Sequence, residues 1–171
     1  DTGRVSSLSK IFKNAITATP DTSLWDVSST TDLESAFEGA TSANPDVTNW
    51  NVASVTNMSA VFKDAVNANP NVINWVTSNA TTFEELFSGA SAAAPNVSAW
   101  DTRNVENMTG VFRLAPNAVP DLSQWDFSKV TRMDFFLYGT GIGINAYSEM
   151  LVKLEDQNNT FRLSLHAGNS P

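Results

Sequence analysis

Cysteine is absent from the 171-residue chain, and histidine occurs once. Without thiols there is no disulfide, no thiol nucleophile and no cysteine-ligated zinc or iron–sulfur site. Charge is sparse at 16% of residues, and cations are the scarcer kind: ten Lys and Arg against eighteen Asp and Glu, a net −8 and a pI near 4.4. Nucleic acid and anionic membrane both demand clustered Lys and Arg, so neither is expected as a partner. No apolar run approaches the ~18 residues of a membrane-spanning helix. A leader pattern is missing too, and the chain opens on Asp1, which reads as a segment of a longer polypeptide.

What is abundant is polar without being charged: 18 Asn, 19 Ser and 17 Thr, beside a 42% apolar fraction large enough for a core. These residues fall on a fixed period. Trp25, Trp50, Trp75, Trp100 and Trp125 stand 25 residues apart. So do Pro20, Pro45, Pro70, Pro95 and Pro120, and Phe12, Phe37, Phe62, Phe87 and Phe112, with Leu137 in the next place. Ala15 to Ala115 and the column Leu8, Leu33, Met58, Phe83, Met108 and Met133 keep the same step. Self-similarity at such a period marks a repeat architecture, in which stacked copies share one core.

Within one period, Val55, Met58, Val61, Phe62 and Ala65 are spaced as one face of a short helix, with Thr56 or Asn57 as N-cap and Gly39, Gly89 and Gly139 as stops. A turn follows around Asn44-Pro45-Asp46. Thr48, Trp50 and Val52 then alternate with Asn49 and Asn51 as a short strand. The expected fold is an α/β repeat solenoid of about five 25-residue coils over residues 5–140, each a short helix plus a short parallel strand. The whole chain, 1–171, reads as one domain. Residues 141–171 form a C-terminal cap, a helix through Tyr147, Met150, Leu151 and Leu154 and a strand through Phe161, Leu163 and Leu165. No comparable cap is seen at the N-terminal end, so another domain or a cloning boundary is expected before Asp1.

The stretch Trp50-Asn-Val-Ala-Ser-Val-Thr-Asn-Met58-Ser-Ala-Val-Phe62-Lys-Asp-Ala65 resembles the repeat of the BspA-like leucine-rich-repeat bacterial surface proteins. Trp25-Asp-Val-Ser, Trp100-Asp-Thr-Arg-Asn-Val-Glu-Asn-Met108 and Trp125-Asp-Phe-Ser-Lys-Val-Thr-Arg-Met133 fit the same pattern, and the tail from Tyr147 is similar to the family's closing segment. Small Ala18, Ala43, Ala68, Ala93 and Ala118 stand where that family usually has Phe, and the third coil departs from it around Trp75-Val-Thr-Ser-Asn-Ala80. The resemblance implies a module of a larger adhesin, extracellular on a bacterial cell surface.

Function is read as non-catalytic. His166 has no motif around it, and no G-x-S-x-G, H-E-x-x-H or P-loop occurs. The sequons at Asn57, Asn79, Asn96, Asn107 and Asn158 are what this composition generates by chance. The Asp21, Asp46, Asn71, Asn96, Asp121 column offers one oxygen per turn, too few for calcium, and reads as turn capping. The threonine column Thr31, Thr56, Thr81, Thr131 is interrupted by Glu106, which argues against ice binding. Candidate contact residues flank the tryptophans on the opposite strand face: Leu24, Asn49, Asn74 and Gln124 before them, Asp26, Asn51, Val76, Asp101 and Asp126 after. The expected partner is an extracellular protein or peptide, with a glycan as the weaker candidate, held by a monomeric module without metal or cofactor. A rigid spacer inside a larger surface protein is the alternative.

Overall fold

An apolar spacing of three, three, one and three is met by a helix, but also by consecutive turns, and the backbone chooses the turns. A computed structural model describes residues 2–157. In every period two residues four apart lie in the left-handed region: Lys10 and Asn14, Ser35 and Gly39, Ala60 and Asp64, Glu85 and Gly89, Gly110 and Leu114, Phe135 and Gly139, with φ from 53° to 73°. A left-handed L-residue costs ~1–2 kcal/mol and cannot continue a right-handed helix. The helix expected over Val55–Ala65 is therefore absent.

Its amides alternate instead between two kinds of partner. Lys63 and Ala65 close turns by donating to Ala60 O at 3.2 Å and Phe62 O at 3.1 Å. Met58, Ala60, Phe62 and Asp64 donate onward to Thr82, Glu84, Leu86 and Ser88 of the following period at 2.7–3.3 Å. Every second N–H thus stitches one period to the next, and the left-handed residues are among the donors.

The strands are also replaced. Trp50 N–H donates to Val47 O and Val55 N–H to Val52 O, both turn bonds, while Asp46, Asn51 and Asn57 each accept the N–H two residues on at 3.0–3.2 Å. Parallel pairing is one residue wide and lies elsewhere, through Ser7, Asp32, Asn57, Thr82, Asn107 and Arg132. The expected α/β repeat solenoid is thus corrected: the described periods are coil and turn, with neither a helix nor an extended strand in any of them. Thr31, Thr56, Thr81 and Thr131 accordingly cap no helix; their hydroxyls donate to the carbonyls 25 residues earlier.

Each 25-residue period makes a turn-built rung: 8–32, 33–57, 58–82, 83–107 and 108–132, with 133–140 beginning another. The rungs bury the tryptophans: Trp50, Trp75, Trp100 and Trp125 are at most 2% exposed, and Trp25 at the end is partly buried. Successive indoles stack 6.1–6.5 Å apart and nearly parallel, while the phenylalanine column from Phe12 to Phe112 stacks at 5.4–5.8 Å. From Trp50 onward each indole N–H donates to the carbonyl 28 residues earlier. The plentiful hydroxyls and amides also fasten rung to rung, as in Ser54 to Ser28 O, Asn79 to Ala53 O and Asn104 to Ser78 O.

Two rungs, not one, make the repeating unit. Asn14, Asp64 and Leu114 alternate with Gly39, Gly89 and Gly139 in a single column. A Cβ on Gly39 would fall on Asn14 Oδ1, one on Gly89 on Asp64 Oδ1, and one on Gly139 would meet Leu114 Cδ2 at 3.0 Å. Charge follows the same alternation, with Lys13, Lys63 and Arg113 on one kind of rung and Glu34, Glu84 and Asp134 on the other. Lys10–Glu34, Lys13–Glu38 and Lys63–Glu85 pair across the steps.

α1 (Ile144–Asp156) is the helix among the described residues. It lays Met150 and Leu154 on the last rung, donates Lys153 Nζ to Ser123 O, and its C-cap Gln157 accepts the N–H of Phe127 at 2.7 Å. The strand expected through Phe161, Leu163 and Leu165, and His166, lie outside the described residues.

Candidate functional site

The indoles are buried, and the residues before them in the chain are not. Leu24, Asn49, Asn74 and Gln124 are all exposed, Leu24 to 93%. Asn49, Asn74 and Gln124 make no side-chain hydrogen bond to the rest of the described chain, which leaves their amides available to a partner. Of the nine sequence-selected residues, Asp26, Asn51 and Val76 are exposed as well, and Asp101 and Asp126 are half-buried. It does not leave them equally free.

Asp26 and Asp126 accept the N–H of Ser28 at 2.9 Å and of Ser128 at 2.7 Å; Asn51 accepts that of Ala53 at 3.2 Å. Asp101 accepts Arg103 N–H and both arms of its guanidinium, at 2.9 and 2.7 Å. These four shape the turns that carry them. Val76 replaces them in the third rung and stands 54% exposed. A second departure, not selected from the sequence, lies beside it: Ile73, 44% exposed, occupies a column otherwise filled by Ser23, Thr48, Ser98 and Ser123. An aliphatic side chain in a hydroxyl column was its signal.

Charge on this face has its own order along the stack. The first rung carries Asp21 and Asp26, and the fifth Asp121 and Asp126 beside Lys153, whose ammonium sits on Ser123 O; the second has Asp46, the fourth Asp101 with its Arg103, and the third none. Each carboxylate lies below the ordinary 3.8. The leading cause is the Ser23 hydroxyl for Asp21, the Ser28 hydroxyl for Asp26, the Thr48 N–H for Asp46, the Arg103 guanidinium for Asp101, the Ser123 N–H for Asp121 and the Ser128 hydroxyl for Asp126. A depressed folded pKa contributes stability that is fully present above the unfolded value and lost as pH falls through the folded one. The melting temperature should therefore owe these groups nothing variable between pH 7 and 5, and should fall from about pH 4 downward. Changing Asp21, Asp46 and Asp121 together to Asn, which serves that column in Asn71 and Asn96, should flatten this acid limb in melts followed by circular dichroism; an unchanged limb would contradict the assignment.

The Asp21 column spends an oxygen on its own turn in every rung, and among the described residues no three His, Asp or Glu side chains gather as metal ligands. No described helix is long and apolar enough to cross a membrane.

No curated protein and no solved structure matches the chain. A family model does, twice, over residues 1–96 and 61–161. This overturns the resemblance to BspA-like leucine-rich-repeat proteins: Trp50–Ala65 and its kin are repeats of another family, and the turn-built backbone agrees in lacking the leucine-rich α/β coil. Membership is compatible with a cell-surface location at the coarsest level. With 161 residues spanned by the two matches, the chain belongs to the family described as Mycoplasma protein of unknown function, DUF285.

Proposed function

We propose that the chain is a non-catalytic binding module of a bacterial surface protein, and that it recognises a protein or peptide on the exposed turn face. The observation that supports this is a contrast between columns. Inward positions repeat with little change, whereas the exposed column before tryptophan reads Leu24, Asn49, Asn74, Ala99, Gln124. A constant core with a variable, unpartnered outer column suits recognition, because surface identity there changes without cost to the stack. The rival reading, a rigid spacer, draws on the unbroken aromatic column and the side-chain fasteners between rungs.

The isolated module screened against peptide arrays, glycans and host cells separates the two, since a spacer gives nothing above background. For a ligand found in that way, changing Asn49, Asn74 and Gln124 together to alanine should weaken binding at least tenfold with an unchanged melting temperature. An unchanged affinity would remove this face from the reading. Asn51 and Asp101 are unsuited to the test because both hold turns.

A further inference from the structure

Along the row of left-handed residues the backbone bonds between rungs all run one way. At each of the five steps, four alternate amides of one rung donate to four carbonyls of the next, as Leu8, Lys10, Phe12 and Asn14 do to Asp32, Glu34, Ala36 and Glu38 at 2.7–2.9 Å. The first rung therefore ends on the accepting half of this pattern. The carbonyls of Ser7, Ser9, Ile11 and Lys13 stand where acceptors stand in every later rung, and among the described residues nothing donates to them. The Trp25 indole N–H likewise has no acceptor there, whereas Trp50, Trp75, Trp100 and Trp125 each find a carbonyl 28 residues earlier. Phe12, Ala15, Ala18 and Pro20 are half-buried, and their counterparts Phe37, Ala40, Ala43 and Pro45 are buried. The first rung thus presents an open cross-section of the core beside an unpaired backbone row, the kind of edge that templates another chain.

We propose that this end of the stack binds one repeat rung of a second polypeptide, and that the rung must be of the Gly39 kind. Such a rung brings amides equivalent to Leu33, Ser35, Phe37 and Gly39, which within the chain donate to Asn57, Ser59, Val61 and Lys63 at 2.8–3.0 Å; the same four would meet Ser7, Ser9, Ile11 and Lys13. Its Phe and Trp continue both aromatic columns. Its counterpart of Val47 O, which takes the Trp75 indole N–H, takes that of Trp25. Its counterpart of Glu38 comes beside Lys13, as Glu38 and Lys63 of successive rungs line one groove. The kind of rung follows from Asn14, which carries a Cβ: an Asp64-type side chain beneath it would collide, just as a Cβ on Gly89 would fall on Asp64 Oδ1. An intact second copy does not supply this rung. Two such ends oppose carbonyls to carbonyls, and at the other end Met133, Phe136 and Leu137 are buried in one core with Met150 and Leu154 of α1. The partner is therefore a free repeat segment, bound by strand-like addition with nearest-neighbour rung packing. The inference is carried by the end of the stack and does not rest on the reading of the turn face.

The probe is a fluorescently labelled peptide copying Leu33–Asn57, titrated with the full chain by anisotropy in about 0.15 M salt, which screens the like net charges. Saturable binding of one peptide per chain is expected. The same peptide with Gly39→Asp should bind at least tenfold more weakly, and one with the Phe37 amide N-methylated at least fivefold. The chain variant N14G should restore the Gly39→Asp peptide to within threefold of the parent, because a side chain then again faces a glycine across the step; residue 14, at φ +59°, takes glycine without strain. Equal affinity of the parent and Gly39→Asp peptides for the unaltered chain would mean mere adhesion to exposed apolar surface and overturn the inference, as would a failure of N14G to restore binding. Absence of saturable binding by the parent peptide would overturn it outright. The variant N49A/N74A/Q124A should bind the peptide as the unaltered chain does. A loss there would move the peptide to the turn face, so that this inference falls and the binding reading stands.

Discussion

Trp100→Ala is expected to lower unfolding stability by about 3–5 kcal/mol, a large share of what a domain of this size possesses. The indole is 2% exposed and lies between Trp75 at 6.1 Å and Trp125 at 6.2 Å, with Phe83 at 5.1 Å and Phe87 at 6.3 Å. None of these neighbours can collapse into the gap, because each is held in its own column by inter-rung bonds. The change also removes one of the two donors to the Val72 carbonyl, the indole N–H at 3.2 Å, and leaves it only the Trp75 N–H at 3.1 Å. Trp25→Ala, at the partly buried end with one indole neighbour, should cost markedly less. Urea titrations of both variants check the pair. Equal losses would mean that the indoles contribute independently of their place in the stack.

Gly89→Ala is the second, and its size comes from two sources. Gly89 has φ +70°, where an alanine is strained by ~1–2 kcal/mol. Its Cβ would also land on Asp64 Oδ1 of the preceding rung, an overpacking that adds ~1–3 kcal/mol. The expected total is about 2–5 kcal/mol, large for so small a side chain. The double variant D64G/G89A should recover most of it, since the obstructing carboxylate is gone and residue 64, at φ +54°, loses its own strain. Gly110→Ala makes the control. It shares the left-handed conformation, but the nearest obstacle to its Cβ is Glu85 Cγ at 3.4 Å, so it should show the strain without the clash. If Gly89→Ala and Gly110→Ala cost the same, the steric half of the account is wrong.

These two sites also mark what the sequence made legible. The 25-residue columns, the inward Trp, Phe and Met, the turn-capping role of Asp21 and its kin, and the importance of Gly39, Gly89 and Gly139 can all be read from residue identity at fixed positions. The backbone between them cannot. Ala60, Glu85 and Phe135 are ordinary residues at φ 53–56°, and nothing in their chemistry announces it. The inter-rung hydrogen bonds hold them there, and those bonds exist only once the neighbours are in place. A helical spacing was therefore satisfied by turns. The apparent strand had a readable counter-signal: Asp46-Val-Thr48, Asn51-Val-Ala53 and Asn57-Met-Ser59 are three successive side-chain-capped turns in one period, a density that leaves no room for extended chain. For the candidate face, the exposed Leu24, Asn49, Asn74, Gln124 and Val76 were legible from alternation about tryptophan. The commitment of Asp26, Asn51, Asp101 and Asp126 to their own turns was not, and neither was Ile73.

The alternation of bulky and glycine rungs sets the block length by which such a stack can grow. A tandem duplication of 50 residues places Gly39-type rungs against Asn14-type rungs at the new junction, and the splice closes without conflict. A duplication of 25 residues sets two bulky left-handed residues, or two glycines, face to face, leaving a collision or a gap. Lengthened descendants of this chain should accordingly differ from it by even numbers of tryptophans.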